Sequence, residues 1–192
     1  MMRAARRLVT RNTLASLRRR CSTITDRFAL LQTERAFDLD EKQLHRRYKV
    51  LMAETHPDRH GRSSESEKQA ATDHASDLTD AYAVLKAPHT RAVHLLELHD
   101  MPLDEETGSG LLGPAFLMEI MEVREELEEV GTQQPERLRA LRDANSAAMH
   151  ALHGELATAF AAQDFEDARA LTARLQYLQR IEEEIHASTE VT

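Results

Sequence analysis

The tripeptide His56-Pro57-Asp58 stands between two stretches of helical periodicity, Lys42 to Glu54 and Glu65 to Leu85, and constrains the fold more than any other feature. Pro57 disfavours helical backbone at His56, so the first helix must stop near Thr55. Asp58 to Ser66 is polar, with Gly61 and three serines, and reads as the exposed turn of a hairpin. Asp40 followed by Gln43 has the form of a capping box that opens the first helix. Leu44, Tyr48, Leu51 and Met52 recur at helical spacing as its buried stripe, while Lys42, Arg46, Arg47 and Lys49 decorate the remaining surface. The return helix places Ala71, Ala75, Leu78, Tyr82 and Leu85 on one face, and its small residues near the loop let the two helices approach closely. A short preceding element with Phe28, Leu30 and Leu31 covers the open end of the pair. Pro88 breaks the chain, and 90–98 makes a further short helix with Val93, Leu95, Leu96 and Leu98.

Met101 to Gly113 holds three of the six glycines and one acidic cluster, which makes it a connection to a second unit. Pro114 suits the first turn of a helix, followed by Phe116, Ile120, Val123, Leu127 and Val130 at steps of four and three. Pro135 starts a long helix through about Ala162, with Leu138, Leu141, Met149, Leu152, Leu156 and Phe160. Asp164 caps a last one, Phe165 to Ile185, striped by Ala168, Leu171, Leu175 and Leu178. Three amphipathic helices with short connections predict an antiparallel bundle. The chain has no strand pattern and no internal repeat, so the fold class is all-α.

The first 25 residues differ in composition from the rest. Arg3, Arg6, Arg7, Arg11, Arg18, Arg19 and Arg20 occur there with Ser, Thr and Leu, and no acidic residue precedes Asp26. That is the make-up of a mitochondrial presequence, with Leu8, Leu14 and Leu17 along one side of a helix; a basic arm for nucleic acid or lipid is the alternative. Taking those seven arginines from 25 Lys and Arg leaves 18 against 33 Asp and Glu, so the charge moves from −8 to about −15. A chain that acidic is a poor general nucleic-acid binder. No stretch is apolar for long enough to span a bilayer. Cys21 is the one cysteine, which excludes an internal disulfide, a Cys-rich zinc site and a cluster held on the chain's own thiolates.

His56 and Asp58 together have the chemistry for acid-base catalysis, but a solvated loop offers no pocket, nucleophile or oxyanion donors. A helix-terminating turn and a binding epitope are the other readings. The basic face beside the loop favours binding, because clustered positive charge next to a rigid polar loop orients an acidic partner. The bland alternative for that face is simple solvation. No phosphate-cradling Gly-rich motif is present, so any ATP hydrolysis belongs to another protein. His150 and His153, at i and i+3, lack a carboxylate arrangement typical of metal sites. In the helix after Pro114 the core stripe occupies one side, yet Leu117, Met118 and Met121 fall largely on the other. A helix apolar on two sides is either sandwiched in a core or presents a sticky patch, and two other helices are too few to sandwich it. Met suits such a surface because its side chain is flexible and polarizable. Tyr177 also lies off its helix's main stripe and joins the patch if the first and last bundle helices are neighbours; core packing is the alternative for all four residues.

From end to end past the basic segment, the chain resembles the HscB/Jac family of iron-sulfur co-chaperones. Phe28-Ala29-Leu30-Leu31, the helix ending in His56-Pro57-Asp58, Leu78-Thr79-Asp80-Ala81-Tyr82 and Leu85-Lys86-Ala87-Pro88 match a J domain in order. Arg91-Ala92 with Leu95-Leu96-Glu97-Leu98 is more particular to the family. Most specific is Phe116-Leu117-Met118-Glu119-Ile120-Met121-Glu122, continuing through Arg124-Glu125-Glu126-Leu127.

The resemblance implies a presequence over 1–24, a J domain over 25–99, a linker over 100–113 and a C-terminal three-helix scaffold-binding domain of the HscB oligomerisation type over 114–187. It implies docking on a mitochondrial DnaK-type chaperone through His56, Pro57, Asp58, Lys42, Arg46, Arg47 and Lys49, stimulating that partner's ATPase without the chain being an enzyme. It implies binding of an IscU-type iron-sulfur scaffold through Leu117, Met118, Met121, Arg124, Glu125 and Tyr177, with Arg124 and Glu125 left open as direct contacts. The implied location is the mitochondrial matrix, with no nucleic acid, no membrane after import, and weak self-association left open. Some animal members carry an added module with paired cysteines for zinc; it is absent here, so no metal or other cofactor is expected. Met121 replaces the family's usual Leu or similar residue, a mild change. A general J-domain co-chaperone for another client is the alternative, although the sequence has neither a Gly/Phe-rich linker nor Cys-rich repeats.

Overall fold

The computed structural model describes residues 24–55, 64–130 and 134–190, and every regular element among them is an α-helix. The expected presequence, apart from Ile24, and the tripeptide His56-Pro57-Asp58 therefore lie outside the described residues. The elements are α1 (Arg27–Leu30), α2 (Glu41–Thr55), α3 (Glu65–Lys86), α4 (Pro88–Leu98), α5 (Glu105–Gly110), α6 (Pro114–Val130), α7 (Pro135–Ala161) and α8 (Phe165–Glu190).

Short polar side chains start four of these helices by accepting hydrogen bonds from backbone N–H groups that have no partner inside the helix. Asp26 accepts from Phe28 and Ala29 (3.0 and 3.3 Å) at α1, and Asp40 from Lys42 and Gln43 (2.8 and 3.1 Å) at α2. Ser64 and Glu67 form a reciprocal capping box at α3: Glu67 N–H donates to the Ser64 hydroxyl (3.4 Å) and Ser64 N–H to the Glu67 carboxylate (2.8 Å). Asp164 accepts from Asp167 N–H (3.1 Å) at α8. The turn before it is set by Gln163, whose φ of 58° places it in the left-handed region, and by Asp164 N–H donating to the Ala159 carbonyl (2.9 Å).

Three boundaries differ from those expected. Pro88 does not separate α3 from the next helix by a gap; it is the first residue of α4, and the extended residue Ala87 caps both (φ −86°, ψ 126°). Proline tolerates that first position because the N–H it lacks has no helical acceptor there. The segment 100–113 contains α5, which lies on α8 and is followed by the buried Leu112. α8 runs on past Ile185 to Glu190.

α2 and α3 pair, α1 crosses α3, and α4 packs on both α3 and α8. α7 and α8 form the most extensive helix pair, and α6 rests on both. One hydrophobic cluster contains Phe28, Leu44, Leu78, Leu85 and Leu95 from the N-terminal helices together with Leu152, Leu156, Leu171 and Leu175 from α7 and α8. A second joins Ile120, Leu127 and Val130 of α6 to Leu138, Ile181 and Ile185. Leu178 packs against both. Each fully buried Leu or Ile contributes about 1.5–3 kcal/mol relative to exposure, so this continuous core joins the N-terminal helices to the bundle.

Arg91 sits inside that junction, 4% exposed. Its guanidinium donates to the carbonyls of Leu85 (2.7 Å), Phe37 (2.6 Å) and Lys86 (3.1 Å) and lies over the Phe37 ring at 5.6 Å. Leu85 and Lys86 end α3, where carbonyls run out of helical donors, so one side chain ties α3, α4 and the loop before α2 together. Burial pushes its pKa down, opposed by the charges of Glu41 and Asp38.

Candidate functional site

Two surfaces carry the side chains that the sequence singles out. On α2, Lys42, Arg46, Arg47 and Lys49 are all exposed, because the apolar stripe turns the opposite way: Leu44 is buried, and Tyr48, Leu51 and Met52 are half-buried against the core. The helix is held in rotation about its axis by an aromatic lock. Tyr48 stacks on Tyr82 of α3 (centroids 4.4 Å, planes 11° apart), the Tyr48 hydroxyl meets that of Thr79 (3.4 Å), and His45 Nδ1 lies 2.9 Å from the Tyr82 hydroxyl. Tyr82 and Thr79 belong to the stretch 78–82 that carries the family resemblance. Their role here is to fix which side of α2 faces solvent.

α1 is fixed to α4 from below. His94, 1% exposed, accepts from the Arg27 backbone N–H at Nε2 (3.2 Å), stacks on Phe28 (5.8 Å) and has Nδ1 3.4 Å from the Glu97 carboxylate. Burial lowers its pKa; Glu97 pulls upward and the Arg27 charge pushes down. The neutral ring, with a lone pair free at Nε2, is the form that fits this donor.

The second surface lies on α6 and α8. Met118 and Met121 are 61% and 60% exposed, two of the four large hydrophobic side chains so exposed among the described residues. Leu117 is half-buried at their side, and the core stripe of Ile120, Leu127 and Val130 faces α7 and α8. α6 and α8 are neighbours, which brings Tyr177 to Phe116 in an edge-to-face contact (6.3 Å, 82°). Arg174 lies over the Phe116 ring (5.6 Å) and Arg180 over Tyr177 (5.7 Å). Arg124 donates twice to the Glu184 carboxylate (2.8 and 3.3 Å), bridging α6 to α8, and Glu125 is exposed. Such a surface has the chemistry of a protein-binding patch: flexible apolar tips, an amphipathic ring and a charged rim. The sequence brings Tyr177 to α6 only on condition that the first and last bundle helices are neighbours, and it holds no signal for the Arg124–Glu184 pair, since the members of each contact lie sixty or more residues apart.

Among the described residues no group of three or more His, Cys, Asp or Glu side chains is placed to hold a metal ion. His150 is exposed; His153 is half-buried against Phe37 (6.2 Å), its pKa lowered by burial and by the charges of Arg91 and His150. Among the described residues no helix is long and apolar enough to cross a membrane.

Residues 112–186, which contain α6, α7 and most of α8, match the model of the HSCB C-terminal oligomerisation domain. The human iron-sulfur cluster co-chaperone protein HscB is 32% identical over 160 residues, covering 83% of this chain and 67% of its own. The HscB homolog of Pseudoalteromonas atlantica is 35% identical over 163 residues, covering 82% of this chain and 93% of its own. The crystal structure of human HscB superposes with a TM-score of 0.81 at 30% identity, covering 89% of this chain and 85% of that one. With both the N-terminal helical hairpin and the C-terminal bundle included in these matches, the chain belongs to the HscB family of iron-sulfur cluster co-chaperones.

Proposed function

We propose that this chain binds an IscU-type iron-sulfur scaffold through its α6–α8 surface and presents it to a mitochondrial DnaK-type chaperone, whose ATPase it stimulates through α2 and His56-Pro57-Asp58. The observation that carries the reading is the exposure of Met118 and Met121 on a helix already anchored by its other side. A bundle with no partner gains nothing by leaving two large apolar side chains in water. The solvent-facing positive charges of Lys42, Arg46, Arg47 and Lys49 support the chaperone end, since they suit an acidic partner surface. Holding both partners on one chain raises the effective concentration of scaffold at the chaperone, so capture and the ATPase trigger coincide. The Arg-rich, acid-free first 25 residues support import into the mitochondrial matrix.

The test is calorimetric titration of the chain, without the basic segment, into the purified scaffold, beside a Leu117, Met118 and Tyr177 triple alanine variant of verified helicity. Binding by the wild type and its loss in the folded variant is expected; no binding by the wild type would leave a J protein with another client. Asp58→Asn should abolish chaperone stimulation and spare scaffold binding, whereas Leu117→Ser with Met121→Ser should do the reverse. Comparable loss of both activities in a folded Asp58→Asn protein would count against two separable sites.

A further inference from the structure

We propose that the outer face of α2 is a polarised seat for one aliphatic side chain of the DnaK-type chaperone, with Val50 as its apolar centre. This rests on the chaperone-docking reading above and adds a specificity residue to it. Val50 is 57% exposed in the middle of the basic face, where every other singled-out residue is charged. It is not an isolated surface residue. Arg46 and Arg47 precede it by four and three positions and Glu54 follows by four, so all lie on one side of the helix, and Gln43 extends the line one turn further. Together with Gln32, across from α2 at the end of α1, these residues line a single groove of about 340 Å³. The φ of 52° at Gln32 turns the chain out of α1 there and forms the groove's far wall.

The order of charges gives the groove a direction. Two guanidinium groups lie at the end nearer the start of α2, the isopropyl group lies in the centre, and a carboxylate lies at the end nearer His56-Pro57-Asp58. The complementary surface carries an acid, an aliphatic side chain and a cation or N–H donor in that order. A uniformly basic face would attract an acidic partner without fixing its register along the helix. An apolar contact between opposite charges fixes it, because a slip of one turn sets Val50 against charge and like charges against each other.

Single-turnover ATP hydrolysis by a purified mitochondrial DnaK-type chaperone, titrated with the full chain, tests the seat. Val50→Ala should raise the concentration for half-maximal stimulation by roughly three- to tenfold, from one to two methyl groups withdrawn from an apolar contact. Val50→Lys should weaken stimulation at least as much, although it adds positive charge to a basic face. Docking by charge alone gives the opposite sign for lysine. Both replacements raise helix propensity at an exposed position, so a loss cannot come from unfolding of α2. Stimulation by Val50→Lys equal to or tighter than wild type, or by Val50→Ala within twofold of it, overturns the seat while leaving the docking reading in place. A wild-type chain that stimulates no hydrolysis removes both.

Discussion

Replacing Arg91 with methionine keeps most of the side chain's apolar volume and removes the group that three carbonyls share. The Phe37 and Leu85 carbonyls belong to residues 5% and 0% exposed, whereas Lys86 is at the surface and its carbonyl can turn to water. Two stranded buried carbonyls at about 1–3 kcal/mol each give about 2–6 kcal/mol. Releasing the guanidinium from burial offsets part of that, since burial already disfavours its charged form, leaving about 2–4 kcal/mol of net destabilisation by the same reasoning. For a chain of this size each kcal/mol shifts Tm by about 2–4 °C, so the midpoint should fall by about 4–16 °C. Urea unfolding followed by far-UV circular dichroism measures the first quantity and a thermal scan the second. Arg91→Lys, which keeps the charge and loses the fork, should fall between wild type and Arg91→Met. Stability of Arg91→Met within about 0.5 kcal/mol of wild type, at unchanged m-value, would refute the claim that this side chain holds the junction.

Acidification should destabilise the fold before any carboxylate titrates. Burial lowers the pKa of His89, His94 and His153 below the ordinary value of 6.5, so the unfolded chain takes up protons first; the stability is fully present above about pH 6.5 and is lost as pH falls from there toward the folded values. Urea midpoints measured between about pH 8 and pH 5 should decline on that limb, and a flat profile would contradict the neutral buried rings. Asp26→Ala should cost about 1–2 kcal/mol, because its carboxylate caps α1 and also accepts from Arg35 Nε at 2.8 Å; guanidinium denaturation checks this.

Local signals in the sequence carried the helices well, because proline and short polar caps act within one turn. Pro114, Pro135, Asp40 and Asp164 each open the helix expected of them. Ser64, with Glu67 three residues on, carries an equally clear capping signal, which a loop drawn from Asp58 to Ser66 overlooks. The apolar stripe ends at Ile185, but the helix itself continues to Glu190. α5 was hidden by Gly108 and Gly110, poor helix formers whose place against α8 is a tertiary matter. The outward turn of Met118 and Met121 could be read from the 3.6-residue period, because it follows from the geometry of one helix. What could not be read was which distant side chains bond to one another: nothing in the sequence joins Arg91 to the Phe37 carbonyl or Arg124 to Glu184.

The cluster that runs from Phe28 through Leu95 into Leu156 and Leu175 packs the N-terminal hairpin and the bundle, among the described residues, into one core. A partner seated on α6 therefore has its orientation relative to α2 fixed before a second partner arrives. Much of the rotational freedom that a tethered pair would surrender on forming a three-body complex is already gone from the folded chain. On the function proposed above, the same stiffness makes the angle between the two faces part of the recognition: a scaffold of another shape, held just as tightly by α6, would meet the chaperone in the wrong attitude.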